Sequence, residues 1–512
     1  VIFLFFCFHS PAWSAAGDTT FIQPFSEKSV LHPSLQGAIL KKVAVDFNNT
    51  VYVLTDKGVG RIFNNQIIKD LRFRPLQDRI PEDISIQEGT GFLYYLFNGV
   101  LLSNEQSGTP YFELPAGAYS SFQVSRNGEI LLKGKERITH FKEGKWHEVD
   151  LPEKDFQNIY VNNNIFYGLS PDALYILKDE KFSILHRGKN LQALTFVRDE
   201  IIIGTSDGIY PIDKKTGKGL SPLKTSVPIP DIRLLSVVNG RLWAGTPHGT
   251  FMEKENGRYD YYASKRWLLE DSITGLANGN NGDIYFLSKS GVSRISFKTY
   301  SYHAKADLFQ EKIRDRHIRY GLLAEVRMKV PGDLTSAEMV DTDNDGLWSS
   351  FYLGSQAFRY AVTGEEIARE YAWETFSAYE RLVSINPLKG FPSRTFERKG
   401  FKVSDPLAWR IAKDTNWEWK GTTSSDEFVG YIFVTAMMDQ YIAKTKEEKK
   451  RVAHFIDTIL THIITNNYNF VDLDGQPTRW GRWNPDYINS YAKTISDRKL
   501  GAVHIIAGLQ LG

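Results

Sequence analysis

A chain of 512 residues, 42% hydrophobic and 24% charged, is long enough for two or three ordinary globular domains. Its formal net charge of +2 gives no electrostatic reason to expect nucleic acid or an anionic membrane as a partner. The single cysteine, Cys7, rules out an intrachain disulfide framework and a multi-cysteine metal site.

The first residues, Val1-Ile-Phe-Leu-Phe-Phe-Cys-Phe8, form an apolar run that leads to Ser14-Ala-Ala-Gly17. The run is too short to span a bilayer, and the small residues suit cleavage before Gly17, so residues 1–16 read as a secretion signal. Without an initiator Met or a basic start, that signal reads as truncated. Phe8 after Cys7 argues against lipoprotein processing. The expectation is a secreted or periplasmic protein with no membrane insertion.

From about Leu40 to Phe297 a strand–turn–strand pattern recurs. The clearest copies are Val51-Tyr-Val-Leu-Thr-Asp-Lys-Gly-Val59, Ile201-Ile-Ile-Gly-Thr-Ser-Asp-Gly-Ile209, Leu242-Trp-Ala-Gly-Thr-Pro-His-Gly-Thr250 and Ile284-Tyr-Phe-Leu-Ser-Lys-Ser-Gly-Val292. Aligned on Gly58, Gly99, Arg137, Ala173, Gly208, Gly249 and Gly291, the steps are 41, 38, 36, 35, 41 and 42 residues. A period near 40 with short strands predicts propeller blades, about seven of them, across residues 17–300. One blade cannot bury both faces, so neighbours must stack around an axis. The copies resemble the repeats of propeller sensor domains outside bacterial two-component regulators, with their (N)G-x-(I/L)-(W/Y)-x-G-T-x-x-G-(I/V) core. That resemblance implies a fold and leaves the ligand open, since sugars, peptides and proteins all bind such domains.

After Phe297 the period-2 pattern fades. A connector over residues 301–335 is expected to hold a helix at Ala304 to His317 and one strand within Gly321 to Val330. Helical periodicity then predicts Leu347–Val362, Glu365–Ser384, Ser425–Ala443 and Glu447–Thr465. A fifth helix follows Thr494 and runs to Leu511. Thr363-Gly364 and Asn386-Pro387 mark stops, and Ser424-Ser-Asp-Glu427 supplies N-cap hydroxyls with first-turn carboxylates. Helical hairpins joined by long loops, over residues 336–512, resemble the (α/α) toroids of carbohydrate-active enzymes. Five helices fall short of a full ring, so the helical domain is expected to be partial.

Three loops precede these helices and are expected to emerge at one end of the domain. The first is Asp341-Thr-Asp-Asn-Asp-Gly-Leu-Trp348, the second Trp417-Glu-Trp-Lys-Gly421 and the third Trp480-Gly-Arg-Trp483. The first matches half of an EF-hand, but Tyr352 stands where a bidentate Glu is needed. Three readings stay open for it: a partial calcium site on Asp341, Asp343 and Asp345, a capped helix entry, or a catalytic Asp. Asp426 and Glu427 read either as a solvated first turn or as partners of Asp343 and Asp345 in acid–base chemistry of the glycosidase type. Trp348, Trp417, Trp419, Trp480 and Trp483 suit stacking on sugar rings or plain core packing. Asp472-Leu-Asp-Gly475 reads as a hairpin turn or as a further cation ligand. Lys420, Arg394, Arg398, Arg479 and Arg482 would fit an acidic polysaccharide or ordinary surface charge. His454 and His462 read as structural. Tyr352, Tyr431, Tyr487 and His504 are available as a lyase base. No P-loop, GxGxxG, HExxH or GxSxG context occurs, which disfavours phosphoryl transfer, hydride transfer and zinc hydrolysis.

The reading is therefore a propeller followed by a toroid-like helical domain that processes a glycan or polysaccharide at its mouth, by hydrolysis. The alternatives are a non-catalytic, sensor-like extracellular propeller protein whose helical domain binds a ligand or protein and whose propeller is open to a protein partner, and a polysaccharide lyase acting on uronates.

Overall fold

The computed structural model describes residues 18–106, 110–135, 137–150, 156–405, 408–490 and 495–512. The expected secretion signal and Cys7 lie outside them. The chain divides into two compact units, Val1–Ser301 and Tyr302–Gly512, and all but the first residue of the segment expected as a connector, residues 301–335, falls in the second.

The first unit is a β-propeller. Antiparallel meanders follow one another, each with its strands paired in chain order. One runs Asp83–Ile86, Leu93–Phe97, Val100–Ser103 and Pro110–Glu113, and the next starts at Tyr119–Val124. The meander from Leu191 to Asp213 has three strands, and bridges at Ile209–Lys224 and Ile212–Gly219 stand where a fourth would pair. First strands of neighbouring meanders adjoin: Leu40–Val45 meets Asp83–Ile86, which meets Tyr119–Val124. Further round, Leu191–Val197 meets Leu234–Val238, which meets Gly275–Asn278, and that strand returns to Leu40–Val45. The circuit closes. Two one-turn helices, α1 (Pro75–Asp78) and α2 (Ser264–Trp267), sit between strands.

The repeat seen in the sequence has a local cause. Thr55, Thr205, Thr246 and Ser288 each donate a side-chain hydrogen bond to the carbonyl of the glycine three residues on. Those glycines have φ between +115° and +149°, a region costly for any residue with a Cβ. At Gly208 a Cβ would also lie 2.2 Å from the Lys224 carbonyl oxygen.

Closure of the ring uses a strand that the sequence pattern did not reveal. Thr20–Leu31 pairs antiparallel along Gly291–Ser301, from Thr20 opposite Ser301 to Val30 opposite Gly291. At its far end it also pairs in parallel with Gln66 and Ile67. The first and last meanders thereby become one eight-stranded sheet.

The second unit is mainly helical: α3 (Tyr302–Arg316), α4 (Asp345–Thr363), α5 (Glu366–Ser384), α6 (Ser425–Met437), α7 (Lys446–Thr465), α8 (Pro485–Ser490) and α9 (Ile495–Leu511). The helix expected to run unbroken to Ala443 widens into a π-helical turn over Met438–Ile442. Gly364, at φ +72°, ends α4 in the left-handed region. A capping box of Thr445 and Glu448 starts α7. Helix α4 packs on α5 and α6, and α6 packs on α7 and α9. Leu353, Phe376, Tyr379, Phe428, Tyr431 and Phe455 form the centre of this core.

The single strand expected within Gly321 to Val330 is instead two short strands, Leu322–Leu323 and Glu325–Met328. Between α5 and α6 lies a three-stranded sheet of Phe396–Arg398, Trp417–Lys420 and Trp409–Ile411, in that order. Its short strands carry too few residues to show a period. No helix among the described residues is long and apolar enough to cross a membrane.

Candidate functional site

One cleft of about 380 Å³ gathers residues from two of the three loops and from the chain's last helices. The Asp-rich loop contributes Asp343 and Asn344, and the start of α6 contributes Ser424, Ser425 and Asp426. The hairpin before α8 contributes Trp480, Arg482 and Trp483, while α8 and α9 add Tyr487, Leu500, Gly501 and His504. Arg394 completes the wall.

The backbone is stitched so that these segments must meet. Arg394 donates from Nε to the Thr422 carbonyl (2.7 Å) and from Nη1 to the Asp343 carbonyl (2.6 Å) and Asn344 Oδ1 (3.0 Å). Ser424 and Trp480 form a parallel bridge. Asp472 accepts from the Thr422 amide at 2.8 Å, so the Asp472–Gly475 segment is a hairpin turn that braces the second loop. That loop reaches the cleft only through Lys420, whose buried ammonium pairs with Asp343.

The predicted carboxylates separate sharply. Desolvation would raise Asp343, but the hydrogen bond and charge of Lys420 hold it below the usual carboxylate range. Asp426 is exposed at the cleft. Asp345 is fully buried and accepts from Arg319 (2.5 Å), Thr342 (2.7 Å) and Thr395. Burial pushes its carboxyl up, against the pull of Arg319. Glu427 is also fully buried, under the first turn of α4, and burial pushes it well up against the charge of Arg394. Asp341 accepts from the amides of Val403 (2.7 Å) and Ser404 (2.9 Å).

The expected calcium set of Asp341, Asp343 and Asp345 is therefore spread over three different partners. Among the described residues, no group of three or more His, Cys, Asp or Glu side chains is arranged to hold a metal ion.

The tryptophans divide in the same way. Trp480 lines the cleft, with Arg479 over its ring at 4.6 Å. Trp483 is buried against Phe428 and Phe470, yet its edge reaches the cleft. Trp419 is a core residue. Trp417 is half-buried beneath Arg381, 3.9 Å from the ring, and against Tyr320. Trp348 is exposed, stacks on Phe351 and is not a cleft residue. Of the remaining candidates, His504 and Tyr487 line the cleft, whereas Tyr352 and Tyr431 are in the core. Burial lowers the His504 imidazole, against the nearby charge of Asp426.

Three polar atoms at the cleft, Ser424 Oγ, Trp483 Nε1 and His504 Nδ1, are left without partners among the described residues. Ser424 occupies the N-cap position of α6 but makes no side-chain capping bond. Its hydroxyl, and the Trp483 indole nitrogen, are buried without a hydrogen bond. Buried donors of this kind are costly unless something satisfies them. Gly501 went unnoticed in the sequence. Its signal was a glycine inside a helical pattern, which marks close approach. A Cβ there would lie 3.8 Å from that indole nitrogen.

No family model matches this chain, and no curated protein does. Among solved structures, virginiamycin B lyase from Staphylococcus aureus is similar at 14% identity and a TM-score of 0.41, over 54% of this chain and 99% of that one. The extracellular domain of a one-component system from B. thetaiotaomicron is similar at 16% identity and a TM-score of 0.42, over 53% of this chain and 39% of that one. A hybrid two-component system's extracellular domain from the same organism gives 12%, a TM-score of 0.43, 63% and 47%. The propeller itself rests on the strand order and register described above.

Proposed function

We propose that this protein is an exported, sensor-like recognition protein that binds a carbohydrate in the cleft of its helical unit. The observation that carries this reading is the pairing of a stacking surface with unsatisfied donors. Trp480 offers a ring face, while Ser424 Oγ and Trp483 Nε1 offer buried hydrogen bonds that the protein does not use. A sugar presents an apolar C–H face beside hydroxyl oxygens, and so meets both needs.

Recognition is favoured over hydrolysis by how the carboxylates divide. A glycosidase needs a protonated acid and a second carboxylate on either side of one bond. Asp345 and Glu427, the two raised by burial, are in the core. Asp343 is held ionised by Lys420. In this reading the propeller has seven blades, because the eight-stranded sheet counts as two. The helices form a partial α/α toroid with the cleft at its mouth, and the propeller presents a second surface for a partner.

The test is a glycan screen that records binding and reducing-end release together. Binding without release is expected, with Trp480→Ala roughly tenfold weaker, or about 1.4 kcal/mol. Steady release of reducing ends would make the protein a hydrolase, and no binding by any glycan would end the carbohydrate reading.

A further inference from the structure

We infer that the cleft takes an acidic sugar, one whose ring carries a carboxylate or a sulfate ester, an inference that rests on its being a carbohydrate site. The guanidiniums at the cleft are held by the protein without being neutralised by it. Arg394, only 8% exposed, donates from Nε and Nη1 to the Thr422 and Asp343 carbonyls and to Asn344 Oδ1. Arg482 donates from Nε to the Thr478 carbonyl (2.9 Å) and from Nη2 to that of Pro477 (3.3 Å). All of these acceptors are uncharged. Arg394 Nη2 and Arg482 Nη1 make no hydrogen bond among the described residues. Exposed Arg479 lies over the Trp480 ring at 4.6 Å and has no carboxylate partner among the described residues.

Little negative charge answers these three cations. Asp343 is paired with Lys420. Glu427 feels the charge of Arg394, but burial keeps it protonated. Asp426, exposed at the cleft, is the carboxylate left over. Positive charge is therefore in excess.

The donors point the same way. Residues 424 to 426 open α6, and a helix start carries the positive end of the helix dipole. Ser424 does not cap that end through its side chain; its Oγ is buried and unpartnered, as is Trp483 Nε1. An oxyanion accepts from several donors at once, and a guanidinium bond to it is roughly twice as strong as one between neutral groups. A carboxylate or sulfate on the sugar can thus use Arg394 Nη2 or Arg482 Nη1 together with these neutral donors, while Trp480 covers a C–H face of the ring. Asp426 opposes the same ligand. Its removal should therefore tighten binding, whereas in a site built for hydroxyl donors it would weaken it.

The experiment titrates the full chain calorimetrically with trigalacturonate, trimannuronate and sulfated neocarratetraose. Each is run beside its neutral counterpart: the methyl-esterified uronates and the desulfated carrageenan oligosaccharide. At least one acidic ligand is expected to bind at least about tenfold tighter than its counterpart, with the gap closing as salt is raised. The pair that shows the gap tells carboxylate from sulfate. Arg482→Gln should weaken the acidic ligand by about tenfold and leave the neutral one nearly unchanged. Arg482 also braces its hairpin, so Arg479→Gln, at an exposed side chain, serves as the second variant and should weaken the acidic ligand by about threefold. Asp426→Asn should tighten it by about threefold. Equal affinity for acidic and neutral sugars, or weaker binding of the acidic ligand by Asp426→Asn, overturns the acidic preference and leaves the carbohydrate reading standing. Silence from every sugar overturns the carbohydrate reading itself.

Discussion

Glu427 gives the sharpest test of how the site is built. Its carboxyl has no solvent exposure, and a Cβ on Gly346 would lie 2.0 Å from Oε2, so α4 sits directly on it. The charges facing it are Arg394, which favours ionisation, and Asp345 and Asp426, which oppose it; Tyr379 and Tyr431 close the pocket. Burial wins, and the acid stays protonated in the fold well above its ordinary value of 4.5. The sign follows directly. The unfolded chain releases this proton as pH rises through the ordinary range, while the folded chain keeps it. Stability from this group is full below the unfolded value and falls as pH climbs toward the folded one. Over that interval the loss is about 1.4 kcal/mol per pH unit. Glu427→Gln removes the titration, so the difference in unfolding free energy between variant and parent should grow by that slope in favour of Gln. A fixed cost of placing the amide shifts the difference without tilting it, and all other titrating groups are shared and cancel. Urea unfolding of both proteins at about pH 5, 6, 7 and 8 measures it. A difference that stays flat across that range would show Glu427 ionised in the fold and refute the reasoning.

Arg319 joins two buried carboxylates, donating to Asp345 Oδ2 (2.5 Å) and Glu397 Oε2 (2.8 Å) and also to Thr395 and the Phe396 carbonyl. Arg319→Met strands both acids and should cost about 3–5 kcal/mol in urea unfolding, partly restored by adding Asp345→Asn; a loss below about 1 kcal/mol would contradict the buried pairing. Removing residues 18–31 takes away the partner of Gly291–Ser301. Hydrogen exchange should then show protection lost along the edge of Gly291–Ser301 that faces this strand, with the propeller melting earlier, and unchanged protection there would mean that the ring closes without this strand.

How much of this could be seen in the sequence depends on how local the cause is. Helix α5 was expected at Glu365–Ser384 and is Glu366–Ser384; α7 was expected at Glu447–Thr465 and is Lys446–Thr465. Periodicity and caps act within a few residues, so they are written where they operate. The propeller period was visible for the same reason, through a hydroxyl and a glycine three apart. The closing strand was not, because the partners of Thr20–Leu31 lie at the other end of the propeller and its own pattern is mostly half-buried.

The three-loop mouth occupies the middle ground. The meeting of its first and third loops at one cleft was legible, since loop composition marks the helix starts, whereas the second loop stands behind that cleft and pairs with it through Lys420 and Asp343. Its chemistry was not legible. Asp426 and Glu427 are neighbours in the chain, yet a helix turns about 100° per residue, so one faces the cleft and the other the core. Asp343 and Asp345 part for a different reason. Each is claimed by a cation distant in sequence, Lys420 at 77 residues and Arg319 at 26. A carboxylate's role is fixed by what stands opposite it. That partner is a property of the packed chain, so a count of acids at one mouth can locate a site without assigning its reaction.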